Sequence, residues 1–182
     1  MELRIFNALR KVNRAIALLI GLGLLGCAMF VLLDIILRQF DASFGGTEEI
    51  AGYAMAISTA WGMGFALMEL AHVRIDLVRA RTGEAMRAIF DVFSMVVTSA
   101  VIVTIAIKAW PVAERAIVNG SRANTPLGTP LAWVQVPWFA GWVWFALMCC
   151  AVTLLVISML LRGRFADVEA TAGAFAEQDA LQ

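Results

Sequence analysis

Between Ile50 and Met68 the chain carries no charged side chain. That run is bracketed by Arg38, Asp41, Glu48 and Glu49 on one side and by Glu69, His72, Arg74 and Asp76 on the other. About 20 apolar residues cross the ~30 Å hydrocarbon core of a bilayer. A segment that enters and leaves through charges, with none between, is expected to be a membrane-spanning helix, here over residues 48–70.

Its faces divide by residue size. Positions four apart lie on nearly one side of a helix, so Gly52, Ala56, Ala60 and Gly64 form one row of small residues. Ala54, Ser58, Gly62 and Ala66 form a second, roughly opposite. Tyr53, Ile57, Trp61 and Phe65 form a bulky row between them. In lipid, helices associate through close packing, and small side chains let backbones approach. The rows predict a helix clamped on two sides, although Gly and Ala are common in membrane helices generally.

The rest of the chain has the same character. Hydrophobic residues make up 62% of its 182 residues and the mean hydropathy is +0.83, against ~45–50% apolar content in soluble domains. Three further spans are expected, over residues 15–37, 88–110 and 137–161, giving an all-α integral membrane protein with a four-helix transmembrane domain over 15–161. Formal net charge is zero, which leaves no bulk electrostatic argument for nucleic acid or an acidic partner. Cys27, Cys149 and Cys150 fall in apolar runs without metal-ligand spacing and read as packing residues.

Residues 1–14 place Arg4, Arg10, Lys11 and Arg14 among Leu3, Phe6, Leu9 and Val12 at helical spacing, the pattern of an interfacial amphipathic helix. A cleaved signal peptide is the competing reading, but the apolar run from Ala15 to Leu33 exceeds the usual 7–15 residues of such signals. Asp34 and Arg38 are spaced to pair. Gly45 and Gly46 mark a turn, Thr47 is a candidate N-cap, and Glu48 and Glu49 suit the positive end of the next helix. All four prolines lie between Pro111 and Pro137, which is expected to be a long surface loop, with Pro137 in the first turn of the last span. Residues 162–182 are expected to be a mobile tail.

Basic residues set the orientation. With the N-terminus inside, the cytoplasmic segments hold Arg4, Arg10, Lys11, Arg14, Arg74, Arg79, Arg81, Arg87, Arg162 and Arg164, and the outer ones Arg38, Lys108, Arg115 and Arg122. Ten against four predicts both termini in the cytoplasm. Trp110, Trp133, Trp138, Trp142 and Trp144 would then cluster near the outer interface.

Catalytic signals are sparse. His72 is the only histidine, so a Ser/His/Asp triad could form only through it and bis-histidine haem ligation within the chain is impossible. A His/Met pair stays formally open. No internal repeat of the kind found in self-sufficient transporters is present, and ionisable residues fall near span ends. No catalytic, cofactor or metal residue is assigned.

Arg38, the Glu48-Glu49 pair, Gly62 and Gly64, and the run His72-Val73-Arg74-Ile75-Asp76-Leu77 together resemble the small, Q-type membrane subunit of tripartite ATP-independent periplasmic (TRAP) transporters. Thr125-Pro126-Leu127, Leu131-Ala132-Trp133 and Val136-Pro137-Trp138-Phe139-Ala140-Gly141 are similar to that family's loop and last-helix entry. Gly45-Gly46-Thr47 departs from the family, which often has an aromatic residue before the Glu pair. The resemblance implies a bacterial inner-membrane scaffold subunit that braces a large multi-span partner carrying the substrate and sodium sites. A periplasmic binding protein would deliver an organic acid to the pair. Arg38, Glu48, Glu49, His72 and Asp76 would then position helices or meet the partner, unless they are solvated interfacial charges. A redox-enzyme membrane anchor and an independent small transporter are the other classes open to such a chain.

Overall fold

The computed structural model describes residues 2–71 and 81–173. His72 and Asp76 lie outside the described residues, as does the tail beyond 173. Among the described residues five helices follow in order: α1 (Glu2–Arg38), α2 (Thr47–Met68), α3 (Glu84–Val118), α4 (Ala132–Leu161) and the short α5 (Phe165–Ala172). The first four are long and apolar enough to cross a membrane. Each has a charge-free middle, over residues 15–33, 50–68, 92–107 and 132–161.

α1 packs on α2, α2 on α4 and α4 on α3, so α1 and α3 are the outer members of the array. α4 is central, with 44% of its most apolar stretch buried within the chain, against none of α1's. Phe145, Cys149, Val152, Val156 and Met159, at helical spacing along α4, meet Leu67 and Met68 of α2, Met95 of α3 and Val168 of α5 in one core. Buried Ser99 and Thr153 share a 2.7 Å hydrogen bond between α3 and α4. All three cysteines are free.

α1, α3 and α4 run further than the spans expected from composition, whereas α2 keeps to within two residues of its expected bounds. Residues 2–14 are not a separate surface helix but the first turns of α1, which at about 1.5 Å per residue is roughly 55 Å long. No Gly or Pro interrupts residues 2–20, and Phe6 and Asn13 are buried against neighbouring helices, so nothing ends the helix at the interface. Pro111 and Pro137, expected to bound a loop, both lie inside helices. Buried Ala109, Ala113 and Ala116 carry one packed small-residue face through Pro111. Pro137 comes too late in α4 for the first turn and leaves the Trp133 carbonyl without its usual N–H partner. The true connection is residues 119–131, closed by hydrogen bonds from Leu131 N to Ser121 O and from Ala123 N to Thr129 O, both 2.9 Å.

The tail also differs from expectation over its first part. Gly163, at φ 68°, turns the chain after α4, and α5 buries Val168, Thr171 and Ala172 against α3 and α4. Phe165, Val168 and Ala172 recur at helical spacing, which gives this short segment an apolar face to bury.

Candidate functional site

Polar chemistry concentrates at the two ends of the α1–α2 pair. At the first, the Asp34 side chain is 1% exposed, one turn before the end of α1. Its Oδ2 accepts from Arg38 Nε and Thr47 Oγ1, each at 2.9 Å, and its Oδ1 from Ser43 Oγ at 3.0 Å and Phe44 N at 2.8 Å. Arg38 also donates to the Thr47 hydroxyl at 3.3 Å. One buried carboxylate thus gathers both helix ends and the turn between them. Thr47 is not the N-cap: Gly46 holds that place, and the Thr47 hydroxyl faces Asp34 instead. Gly45 and Gly46 take the left-handed conformation this tight elbow needs, at φ 71° and 68°. A Cβ on Gly46 would meet the Leu127 side chain at 2.5 Å, so the elbow also abuts the 119–131 connection.

Glu48 and Glu49 diverge. Glu48 is 88% exposed and stands 4.0 Å from Arg38. Glu49 accepts a 2.5 Å hydrogen bond from Tyr53 one turn on. Arg38, Glu48, Glu49, Tyr53, Thr125 and Pro126 line an open hollow of about 750 Å³. Of the charges singled out in the sequence, Arg38, Glu48 and Glu49 therefore share one location.

At the opposite end, Glu69 follows the last turn of α2 and is gripped by α1. Arg10 binds it through both Nε, at 3.0 Å, and a terminal nitrogen, and Arg14 reaches it at 3.1 Å. The Arg10 hydrogen bond, reinforced by the charges of both arginines against the cost of burial, holds the Glu69 carboxyl below the usual carboxylate range. A depressed folded-state value means the contribution is complete above the unfolded value of about 4.3 and is lost as pH falls through the lower folded value. Glu69→Gln should therefore lower the melting temperature at pH 7, and the gap between wild type and variant should close on acidification below pH 4. A constant gap in a detergent melting series would contradict this assignment. Further along α1, Glu2 accepts from Ser158 and Arg164, each at 2.7 Å, with Arg162 at 3.4 Å, fastening the start of α1 to the end of α4.

Between these ends, the small rows meet different surroundings. Ala60 and Gly64 are buried where α2 crosses α4 and α1. A Cβ on Gly64 would lie 2.6 Å from Asn13 Oδ1, which accepts a 3.0 Å hydrogen bond from Trp144 Nε1. Gly52 and Ala56 are exposed, while Ala54, Ser58 and Gly62 are half-buried. Beta carbons added at Gly52 or Gly62 would meet open space. Facing Ala60 is Gly141 of α4, where an added Cβ would come within 2.8 Å of the Ala60 Cβ. Trp61 stacks on Trp144 and donates to the Pro137 carbonyl at 2.9 Å. Trp144 thus joins a helix contact rather than the outer tryptophan belt, whereas Trp110 and Trp133 are exposed.

Residues 27–162 match the family described as tripartite ATP-independent periplasmic transporters, DctQ component. The chain belongs to that family. It is the small membrane component of a TRAP transporter, a multi-pass membrane protein whose family works with a large membrane subunit and a periplasmic binding protein. Comparison with curated proteins and with solved structures returned no match. The TRAP match takes in the Asp34 elbow, all of α2 and α3, and α4. It leaves Glu2, Arg10, Arg14 and α5 outside.

Sequence reasoning identified Arg38 and the Glu pair but missed the centre they surround. Asp34 showed only as a pairing partner, because its bonds to Ser43, Phe44 and Thr47 come from the turn. Asn13 carried a weak signal, an amide two turns from Phe6 on the same face. Gly141, small among aromatic residues, was the other available sign.

Proposed function

We propose that this TRAP component is the non-catalytic scaffold of a sodium-coupled importer of organic acids. In this reading it lies in the bacterial inner membrane with both termini in the cytoplasm. The observation that carries the proposal is the combination of charge-free span middles with an outer helix, α1, whose most apolar stretch is entirely unburied within the chain. Moving an ion or acid through a span calls for ionisable groups at depth, and here the charged side chains sit toward helix ends, where several tie helices together. An unburied apolar helix beside a rigid array is suited to bracing a larger neighbour. Substrate and sodium then belong to the large subunit, and Arg38, Glu48 and Glu49 form the charged outer surface that meets a partner.

Reconstitution tests the division of labour. Proteoliposomes with the large subunit and binding protein but without this chain should lose most sodium-driven uptake, and adding the chain back should restore it. Full-rate uptake in its absence would refute the scaffold role. Uptake by this chain alone would favour an independent transporter, and a visible absorption band would favour a redox anchor. A C-terminal tag accessible from outside intact cells would overturn the orientation.

A further inference from the structure

We infer that the first turns of α1 form a binding site for one acidic phospholipid. Asn7, Arg10, Lys11 and Arg14 line an open hollow of about 270 Å³. Arg10 and Arg14 share the single carboxylate of Glu69. Lys11 is exposed, with no ion pair or hydrogen bond among the described residues. Among the described residues, three cations against one carboxylate leave a surplus of two positive charges at the hollow. Phosphate oxygens are the natural counterpart to such a group.

What identifies the phosphate's carrier is the surface that continues from the hollow. Lys11, Arg14, Leu18, Leu22 and Leu25 follow one another in steps of three or four, so they form one line along the helix. Leu18, Leu22 and Leu25 are 65%, 58% and 61% exposed. From Arg14 to Leu25 the helix rises about 16 Å, close to the ~15 Å depth of one leaflet's half of the hydrocarbon core. A basic hollow therefore opens onto an apolar strip that this chain's own helices leave uncovered and that is about one leaflet deep, with Met29, Leu32 and Ile36 exposed beyond it for the large subunit. A free phosphate would use only the hollow, whereas a phospholipid uses both. The charge surplus favours a headgroup with net negative charge over a zwitterionic one, whose ammonium would meet Lys11. The hollow precedes the segment matched to the TRAP family.

The test uses the full-length chain purified with its large subunit, delipidated and titrated with phosphatidylglycerol or phosphatidylcholine, and read by native mass spectrometry. Phosphatidylglycerol should be retained preferentially. Lys11→Gln should reduce that retention about fivefold, the effect of one basic residue near an anionic surface, and Lys11→Glu should reduce it further. Lys11 makes no ion pair or hydrogen bond among the described residues, so both variants should melt as the wild type does in the absence of added lipid. Arg115→Gln, which removes an exposed charge from the end of α3, should change nothing. Equal retention of the two lipids, or of phosphatidylglycerol by wild type and Lys11→Gln, would overturn the inference. So would full competition by inorganic phosphate at matched concentration, which would mean a free-anion site. Loss of the large subunit from Lys11→Gln with lipid retention unchanged would likewise overturn it, assigning this face to a protein contact.

Discussion

Asp34→Ala should lower the melting temperature of the purified protein by on the order of 5–10 °C and expose the 39–46 turn to protease. The carboxylate is buried and holds four donors from two helices and the turn between them. Its removal strands the Arg38 guanidinium, the Thr47 and Ser43 hydroxyls and the Phe44 N–H together. Thr47 is the buried one among them, and an unpaired buried donor costs more than the bond it formerly made contributed. Asp34→Asn separates shape from charge. It keeps an acceptor for some of these donors but loses the ion pair, so its melting temperature should fall between wild type and Asp34→Ala. If Asp34→Ala melted like wild type, with the turn still protected, the elbow would not depend on this hub. Arg38→Ala offers a check on direction, since Arg38 is half-exposed and its removal leaves Asp34 three other donors. It should cost less than Asp34→Ala.

Gly141→Ala should destabilise the contact between α2 and α4 by about 1–3 kcal/mol, and Gly141→Leu by more. The added Cβ would stand 2.8 Å from the Ala60 Cβ, 2.9 Å from the Trp61 ring and 3.0 Å from the Ala60 carbonyl carbon. The last of these is backbone, so no side-chain rotation relieves it. Thermal unfolding in detergent reads the loss directly. A double variant, Gly141→Ala with Ala60→Gly, removes the Cβ contact and leaves the backbone one, so it should recover part of the loss. This non-additivity is the sign of two residues in direct contact. Additive losses would mean that the helices separate rather than press together at this crossing.

The spans were legible because each has a charge-free middle, a property of composition that needs no neighbour to express it. Their ends were not, because helices stop where packing stops. Phe6 and Asn13 keep α1 helical beyond the apolar run, Ala113 and Ala116 carry α3 past Pro111, and α4 begins before Pro137. Proline removes one hydrogen bond, and a helix packed on its neighbours survives that loss. The Asp34 hub was half visible, since the i,i+4 spacing to Arg38 is local whereas Ser43, Phe44 and Thr47 arrive only when the elbow closes. Gly64 was identified as a close-contact position, but Gly141 and Asn13, which meet α2 from separate helices, were not. Small residues mark where helices can approach without saying which partner comes.

Because α1 is one unbroken helix held at Glu2 and at Arg10 on one side and at Asp34 on the other, its inclination to α2 and α4 is fixed by the protein. A free helix meets a thinner bilayer by leaning over, at a fraction of a kcal/mol per ångström. This one cannot lean away from its neighbours without breaking the ion pairs of Glu2 and Arg10 at one end or the Thr47–Asp34 hydrogen bond at the other. A bilayer of another thickness is then met by the α1–α2–α4 array tilting as one body or by lipid stretching or compressing around it, and not by α1 alone.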